Sequence, residues 1–404
     1  MKILHIITSL RTGGAERLVA ELAQRHQAYG DEVEVLLFDG TRTPLVEELE
    51  KNGIPVHAVG KGFAAMSNPL LLPALARFLR KHPFDFVHTH NTSCQILTAM
   101  VPALTRFTTE HGTINRRRNW RWFRPIDRWM YGRYSRIVCV GEETRKTLSD
   151  WLNRPELDKK MTVIPNGIDL QRIMNASPAE ELCAGPSTSS GTGKAIDSGS
   201  GTAVSSGTGK AKGTGTGTYK ILMVSAFRPE KDQQTLIRAI QQLPEEYQLF
   251  LAGGAETPEN QKIMDDCKTL AMSPRVHFLG VRPDVPNLLA AADAVVLSSK
   301  HEGMSLSVLE GMASGKPMIA SDVEGMRDLV GGAGLLFPLG DAETLATLIR
   351  EVCENPEKAK EIGSKCRERA MQYDIAETAN RYHALYEEVL AAPKPPLGKP
   401  LQKR

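Results

Sequence analysis

The chain has 404 residues, of which 41% are hydrophobic and 24% charged, with a formal net charge of +3. That length exceeds one ordinary domain and predicts two, and so small a net charge excludes any argument for a partner from whole-chain charge. No run reaches about 18 apolar residues, which excludes a membrane-spanning helix. Charge is uneven, however: residues 1–182 carry 25 Lys/Arg against 20 Asp/Glu, and residues 183–404 carry 25 against 27. The N-terminal half is the better fitted to an anionic surface. The six cysteines, Cys94, Cys139, Cys183, Cys267, Cys353 and Cys366, are scattered and form no C-x-x-C pair. They read as reduced thiols of a cytosolic protein rather than a disulfide framework.

The opening run from Met1 to Ile7 is short, is interrupted by His5, and is followed by Arg11-Thr12-Gly13-Gly14. It predicts a buried first strand rather than a signal peptide. Strand-like runs follow at 3–8, 33–38, 55–59, 84–89, 107–110, 137–140 and 162–165, with helical patterns such as 15–28, 69–81 and 142–151 between them. Alternation of this kind predicts a parallel sheet covered by helices on both faces. The rhythm resumes after residue 218, with strands at 220–224, 248–252, 276–279, 294–297, 317–320 and 334–337 and helices at 233–241, 342–354 and 356–372. The expected fold is therefore α/β, with two doubly wound, Rossmann-like domains facing across a cleft. Boundaries fall at 1–182 for the first domain, 219–374 for the second and 375–392 for a last helix. Between the domains, 183–218 is a Gly/Ser/Thr-rich insertion in which Ser189 to Ala195 recurs as Ser205 to Ala211. It is too polar to order itself. The tail 393–404 is rich in Pro and Lys and expected to fray.

Four motifs carry chemistry. Glu302 and Glu310 stand eight positions apart around a small, hydroxyl-rich turn. Ser305 or Ser307 is placed to cap a helix running to Gly315, which leaves backbone N–H groups at Met304 to Leu306 pointing between the carboxylates. A helix start attracts phosphate, and flanking carboxylates can accept hydrogen bonds from sugar hydroxyls. The spacing suits a pyrophosphate with a sugar at each end, against two solvated glutamates on an amphipathic helix. Arg228 and Lys231 follow the first strand of the second domain, where ligands bind in an open parallel sheet. They are placed to grip a diphosphate, Arg as a fork and Lys as a point charge. Gly13 and Gly14 follow the first strand of the chain and allow close approach of a ligand or make a tight turn. His111, beside Gly112 at a strand end, is the stronger of two histidine sites, the other being His88 to Asn91. No zinc spacing and no Asp-x-Asp pair occurs, so no metal and no cofactor beyond the co-substrate is expected.

The stretch from Arg116 to Arg136 interleaves arginine with Trp and Tyr. Arg116, Arg117, Arg118, Trp120, Arg121 and Trp122 are read as an acceptor or membrane surface, suited to an anionic membrane face or a lipid phosphate. A solvated helix with a packed aromatic face is the alternative, and nothing else supports a nucleic-acid partner.

In this order the motifs resemble the retaining glycosyltransferases of the large fourth sequence family, with the GT-B fold. Gly13-Gly14-Ala15-Glu16, Glu110-His111-Gly112, Val163 to Asp169, Arg228 with Lys231, Glu302 to Glu310, and Gly334 to Pro338 carry the resemblance, which spans nearly all of the chain except 183–218 and the tail. The resemblance implies a metal-independent, retaining hexosyltransferase. It would use a nucleotide-diphosphate sugar as co-substrate and a saccharide or lipid-linked acceptor, in polysaccharide, lipopolysaccharide or glycolipid assembly. It would be cytoplasmic, at most peripheral on the inner membrane face. By position, Glu302 would hold hydroxyls of the donor sugar and Glu310 the ribose. Gly303, Met304, Ser305 and Leu306 would offer backbone to phosphate or sugar, Val281 and Arg282 would line the base pocket, and His111 would contact the hexose near its reacting carbon. Met304 stands where relatives often carry an aromatic residue, and Asp328 near where they carry a glutamate. The last helix, 375–390, would cross back to the first domain. A nucleotide-sugar epimerase of the same fold and a non-catalytic nucleotide-sugar-binding protein are the competing readings.

Overall fold

A computed structural model describes residues 1–404 apart from 12, 63–67, 103, 114, 184–216 and 393–404. The repeat-bearing insertion and the tail predicted from the sequence thus lie almost entirely outside the described residues, and the side chain of Arg116 does so too.

The first sheet is built from β1 (Lys2–Ile7), β2 (Glu32–Leu37), β3 (Val56–Ala58), β4 (Phe86–Thr89), β5 (Arg106–Glu110), β6 (Arg136–Cys139) and β7 (Met161–Val163). The second uses β8 (Tyr219–Val224), β9 (Tyr247–Ala252), β10 (Val276–Gly280), β11 (Ala294–Leu297), β12 (Met318–Ser321) and β13 (Leu335–Phe337). Strand order is β3-β2-β1-β4-β5-β6-β7 in one and β10-β9-β8-β11-β12-β13 in the other, and every strand pair is parallel. Strands covered on both faces need apolar side chains on both. Accordingly Ile3, Leu4, Ile6 and Ile7 are fully buried, as are all four residues of β11 to within a few per cent.

Each sheet reverses its winding beside its first strand, between β1 and β4 and between β8 and β11. At such a point neighbouring loops diverge and leave a crevice. The loops after β1 and β4, and those after β8 and β11, carry Gly13, His90, Arg228 and Glu302 respectively. The architecture is that of the two Rossmann-like domains expected from the sequence.

The last helix, Ile375–Ala391, lies on the first half of the chain. Its Tyr382 hydroxyl meets Thr109 Oγ1 at 3.0 Å and its Tyr386 hydroxyl meets His88 Nδ1 at 2.6 Å. Asn380 accepts from the Tyr29 hydroxyl at 2.7 Å, and Arg381 donates to the Val163 carbonyl at 2.6 Å. An isolated parallel bridge pairs Ile168 with Asp374. Both tyrosines are fully buried, so the first sheet depends on this helix for part of its cover. Among the described residues no helix is long and apolar enough to cross a membrane.

Candidate active site

The Glu302–Glu310 segment folds as a loop and a short helix, Leu306–Ala313, with Ser305 at the N-cap. Among the described residues no side chain caps it, which corrects the expectation that Ser305 or Ser307 would do so. The helix also stops two residues short of the predicted Gly315. Ser305 is buried in an extended backbone conformation, and the first-turn N–H groups are left for a ligand, with the positive end of the helix dipole behind them. Glu310 lies in the second turn.

Arg228 and Lys231 are held by a tight local structure. Pro229–Lys231 makes one 3-10 turn, and Asp232 follows in the left-handed region at φ 47° before the helix Gln233–Gln241. Asp tolerates that region better than most residues, and its carboxylate accepts from Thr235 Oγ1 at 2.7 Å. Ser298, after β11, donates its hydroxyl to the Lys231 and Asp232 carbonyls at 3.1 and 2.9 Å. The loops after β8 and β11 are thereby joined. Lys231 Nζ ion-pairs with Glu302, whose Oε1 also accepts from Ser299 Oγ at 2.8 Å. The two residues, separately assigned to phosphate and sugar by sequence, are in contact.

A cavity of about 550 Å³ lies between the two halves. Gly13, Gly14, Arg17 and Glu48 line it from the first half, and Arg228, Lys231, Val281, Arg282, Leu306 and Glu310 from the second. Leu306 reaches to 3.7 Å from where a Cβ on Gly14 would stand, so the glycine loop and the helix tip face each other. Arg282 lines the cavity while paired with Asp284 at 2.7 Å and Glu181 at 2.8 Å. Its guanidinium is engaged, leaving Val281 and the backbone as the open part of the predicted base pocket.

The cavity also holds a charged ring absent from the sequence reading. Arg17 pairs with Glu21 at 2.7 Å and Glu48 at 2.9 Å, and Arg172, which lines the cavity, donates to the Pro283 carbonyl at 3.3 Å. Burial pushes the Glu310 carboxyl up to about 7; Glu21 adds to the rise, while Arg172 and Arg17 oppose it. Burial likewise pushes Glu16 up to about 7, against its own backbone N–H and Arg228. Glu16 folds back over Gly13, where a Cβ would stand 2.1 Å from its Oε2. Only an i,i+4 Arg17–Glu21 pair was available locally as a signal.

His111, Gly303, Met304 and Ser305 sit beside the cavity rather than on it. A Cβ on Gly303 would approach the His111 carbonyl to 3.1 Å and Thr144 Oγ1 to 3.4 Å, so the two halves touch here and only a glycine fits without displacement. Met304 is held by Asn166, whose backbone N lies 3.1 Å from the Met304 sulfur and whose Nδ2 donates to the Met304 carbonyl at 3.3 Å. Burial lowers the His111 imidazole to about 4, against the opposing charge of Glu110.

The arginine-rich stretch divides in a way the sequence did not indicate. Arg117 is buried against Asp127 at 2.9 Å, and Arg118 against Glu110 at 2.7 Å. Burial favours protonation of Glu110, but Arg118, Arg117, the Tyr131 hydroxyl and Gln95 outweigh it and hold its carboxyl below the usual range. Arg117 and Arg118 therefore belong to the interior and not to a docking surface: buried carboxylates at 110 and 127 require cationic partners. Trp120 and Trp122 are 56% and 63% exposed, and Arg121 is exposed beside them.

Residues 12–172 match the family model described as Glycosyltransferase Family 4, and residues 209–369 match that described as Glycosyl transferases group 1. The chain belongs to this glycosyltransferase family. The UDP-Gal:alpha-D-GlcNAc-diphosphoundecaprenol alpha-1,3-galactosyltransferase of Escherichia coli is 23% identical over 418 residues, covering 96% of this chain and 97% of that protein. The N,N'-diacetylbacillosaminyl-diphospho-undecaprenol alpha-1,3-N-acetylgalactosaminyltransferase of Campylobacter jejuni is 31% identical over 174 residues, 42% of this chain and 45% of that protein. Among solved structures, Anabaena HepE in complex with UDP and glucose superposes with a TM-score of 0.77 at 21% identity, over 96% of this chain and 99% of that one. That likeness supports the GT-B fold of this glycosyltransferase.

Proposed function

We propose that this glycosyltransferase binds a nucleoside diphosphate sugar, of the uridine class, with its diphosphate between Arg228, Lys231 and the tip of the Leu306–Ala313 helix. The ribose sits on Glu310 and the hexose on Glu302, near His111. The observation that carries the reading is the cavity in which two basic side chains, an uncapped helix start and Glu310 converge, with Glu302 joined to it through Lys231. The uridine class draws on HepE, described in complex with UDP. The acceptor is a saccharide on a lipid diphosphate, by analogy with the E. coli and C. jejuni relatives, whose names specify undecaprenol diphosphate acceptors. Those relatives are transferases, which favours transfer over epimerisation or binding alone.

Transfer proceeds with retention and without a metal. The anomeric C–O bond to the diphosphate breaks, the acceptor oxygen bonds to the same face, and its proton passes to the leaving diphosphate. Arg228, Lys231 and the helix N-terminus stabilise the charge that develops on that diphosphate, a role in which one donor is worth roughly 2.7–4 kcal/mol of barrier. Glu302 is engaged by Lys231 and Ser299, which suits it to hold hydroxyls rather than attack carbon. The exposed Trp120, Arg121 and Trp122 dock the protein on an anionic, cytoplasmic membrane face where such an acceptor resides.

The test is incubation with UDP-hexoses and undecaprenyl-diphosphate saccharides in the presence and absence of EDTA. An EDTA-insensitive product with the donor's anomeric configuration is expected. Donor turnover that yields an inverted linkage, or interconverts hexoses without an acceptor, would overturn the reading.

A further inference from the structure

Beneath the cleft, the first half packs an unusual number of imidazoles. His5 lies in β1 opposite His88 of β4, and His90 follows two residues on, on the same face as His88. His111 follows the end of β5. His5, His88 and His90 are at most 1% exposed. They place ligand atoms within 4.8 Å of one another, but both His88 nitrogens are occupied: Nδ1 by the Tyr386 hydroxyl at 2.6 Å and Nε2 by Thr109 at 2.8 Å. The remaining rings form a chain. His5 Nδ1 lies 3.0 Å from His90 Nε2, and His90 Nδ1 lies 3.3 Å from His111 Nε2.

We propose that His90 and His5 are positioning residues that hold His111 as its Nδ1–H tautomer, leaving that N–H as a hydrogen-bond donor where Gly303 closes on His111. The inference deepens the donor-site reading and rests on it for the identity of the ligand, an oxygen of the sugar or its diphosphate.

Burial disfavours the charged form of all three rings, so each carries one N–H. His90 uses both nitrogens, and only two arrangements satisfy both contacts. In one, His5 Nδ1–H donates to His90, His90 Nδ1–H donates to His111, and the spare N–H is on His111 Nδ1. In the other, every bond reverses and the spare N–H is on His5 Nε2. Both terminal nitrogens are buried without a partner among the described residues, so the choice turns on which end tolerates an N–H. His5 Nε2 lies in the sealed core, where the neighbouring rings are His88, 5.5 Å away between centroids with both nitrogens engaged, and His26, stacked at 6.1 Å, and neither bonds to it. An orphaned buried N–H is rarer in proteins than an unsatisfied acceptor. His111 lies at the seam between the halves and is partly exposed as a residue, with its Nδ1 itself covered, so the donor meets a ligand oxygen that enters the seam. The N–H therefore belongs at His111. Without His90 to donate to it, Nε2 would take the proton, as imidazole in water prefers, and the donor at Nδ1 would become an acceptor.

The measurement is a long-range 1H–15N correlation on the deuterated, 15N-histidine-labelled full chain, with His111→Gln to assign the signal. His111 is expected as a neutral ring protonated at Nδ1, and this arm is independent of what the protein binds. A wild-type His111 protonated at Nε2, or a shift pattern of metal-bound rings for His5 and His90, overturns the proposal. In His90→Leu the His111 signal should move to the Nε2–H form. Donor hydrolysis should then fall in kcat by about three- to tenfold with KM little changed, while His90→Gln, whose amide can still donate, restores most of the rate. Equal rates in His90→Leu and wild type, with the tautomer switched, would remove the positioning role. If His90→Leu does not fold, the wild-type spectrum still decides. If no UDP-hexose is turned over at all while the wild-type spectrum shows Nδ1–H, the donor-site reading fails and the relay stands.

Discussion

Replacing Glu310 by Gln tests the ribose assignment through its pH dependence. The carboxyl titrates at about 7 because it is buried beside Glu21, with Arg172 and Arg17 only partly offsetting that cost. Ribose hydroxyls donate to a carboxylate, so binding selects the ionised form. The ionised fraction rises from roughly one tenth at about pH 6 to roughly nine tenths at about pH 8. Apparent UDP affinity should therefore tighten by roughly ninefold over that interval from this group alone. The Glu310→Gln amide has no such titration, and it forfeits hydrogen bonds to a charged acceptor, about 1.5 kcal/mol or more each, so the loss at about pH 8 should be tenfold or greater. Calorimetric titration of UDP into both proteins supplies the ratio of affinities at each pH. Protonation of UDP and of Glu16 is common to the two and cancels. A ratio that does not change between these pH values would refute the placement of Glu310 on the ribose.

Lys231→Ala should weaken UDP binding by about 1.5–3 kcal/mol while leaving uridine binding nearly unchanged, and calorimetry with both ligands separates the cases. Glu302→Ala should lower donor turnover with little loss of UDP affinity; a loss as large as that of Glu310→Gln would place Glu302 on the nucleotide instead. Glu16 has a folded pKa raised above its ordinary value, so the stability its protonated form supplies is present at low pH and is lost as pH rises towards about 7. In the ligand-free protein, Glu16→Gln should therefore raise Tm, and the gain should grow between about pH 5 and about pH 8; a constant gain would show that Glu16 is not titrating there. Arg118→Leu, which leaves Glu110 short of its cation, should cost about 3–5 kcal/mol in denaturant unfolding. Trp122→Ala should leave unfolding unchanged and weaken sedimentation with anionic vesicles.

Strands were legible because buried parallel strands are short apolar runs, as at 294–297, where run and strand coincide. The helix Gln233–Gln241 was equally plain, its apolar positions recurring at helical spacing. The helix Pro258–Ala271 was harder to see, since only Cys267 and Ala271 of it are buried, and so weak an apolar face leaves little periodic signal. Thr92–Met100 is buried on several sides, which blurs its period in the other direction. At the site, the Glu-x7-Glu segment and the Arg228–Lys231 turn are local and could be read directly. Arg17, Glu48 and Arg172 converge on the cavity only because the halves face each other. The burial of Arg117 and Arg118 follows from carboxylates in other elements, one at the end of β5 and one in the helix Arg124–Gly132. Likewise the chain of imidazoles exists only through the register that sets β1 beside β4 and β4 beside β5.

The most direct test of the central claim is the crystal structure of the protein with an unhydrolysed UDP-hexose. The account predicts the diphosphate within hydrogen-bond reach of Arg228, Lys231 and the Leu306 backbone N–H, the ribose hydroxyls on Glu310, and the hexose against Glu302. UDP-hexose ordered elsewhere on the molecule, or lying in the cavity with its diphosphate turned away from the helix tip, would contradict it.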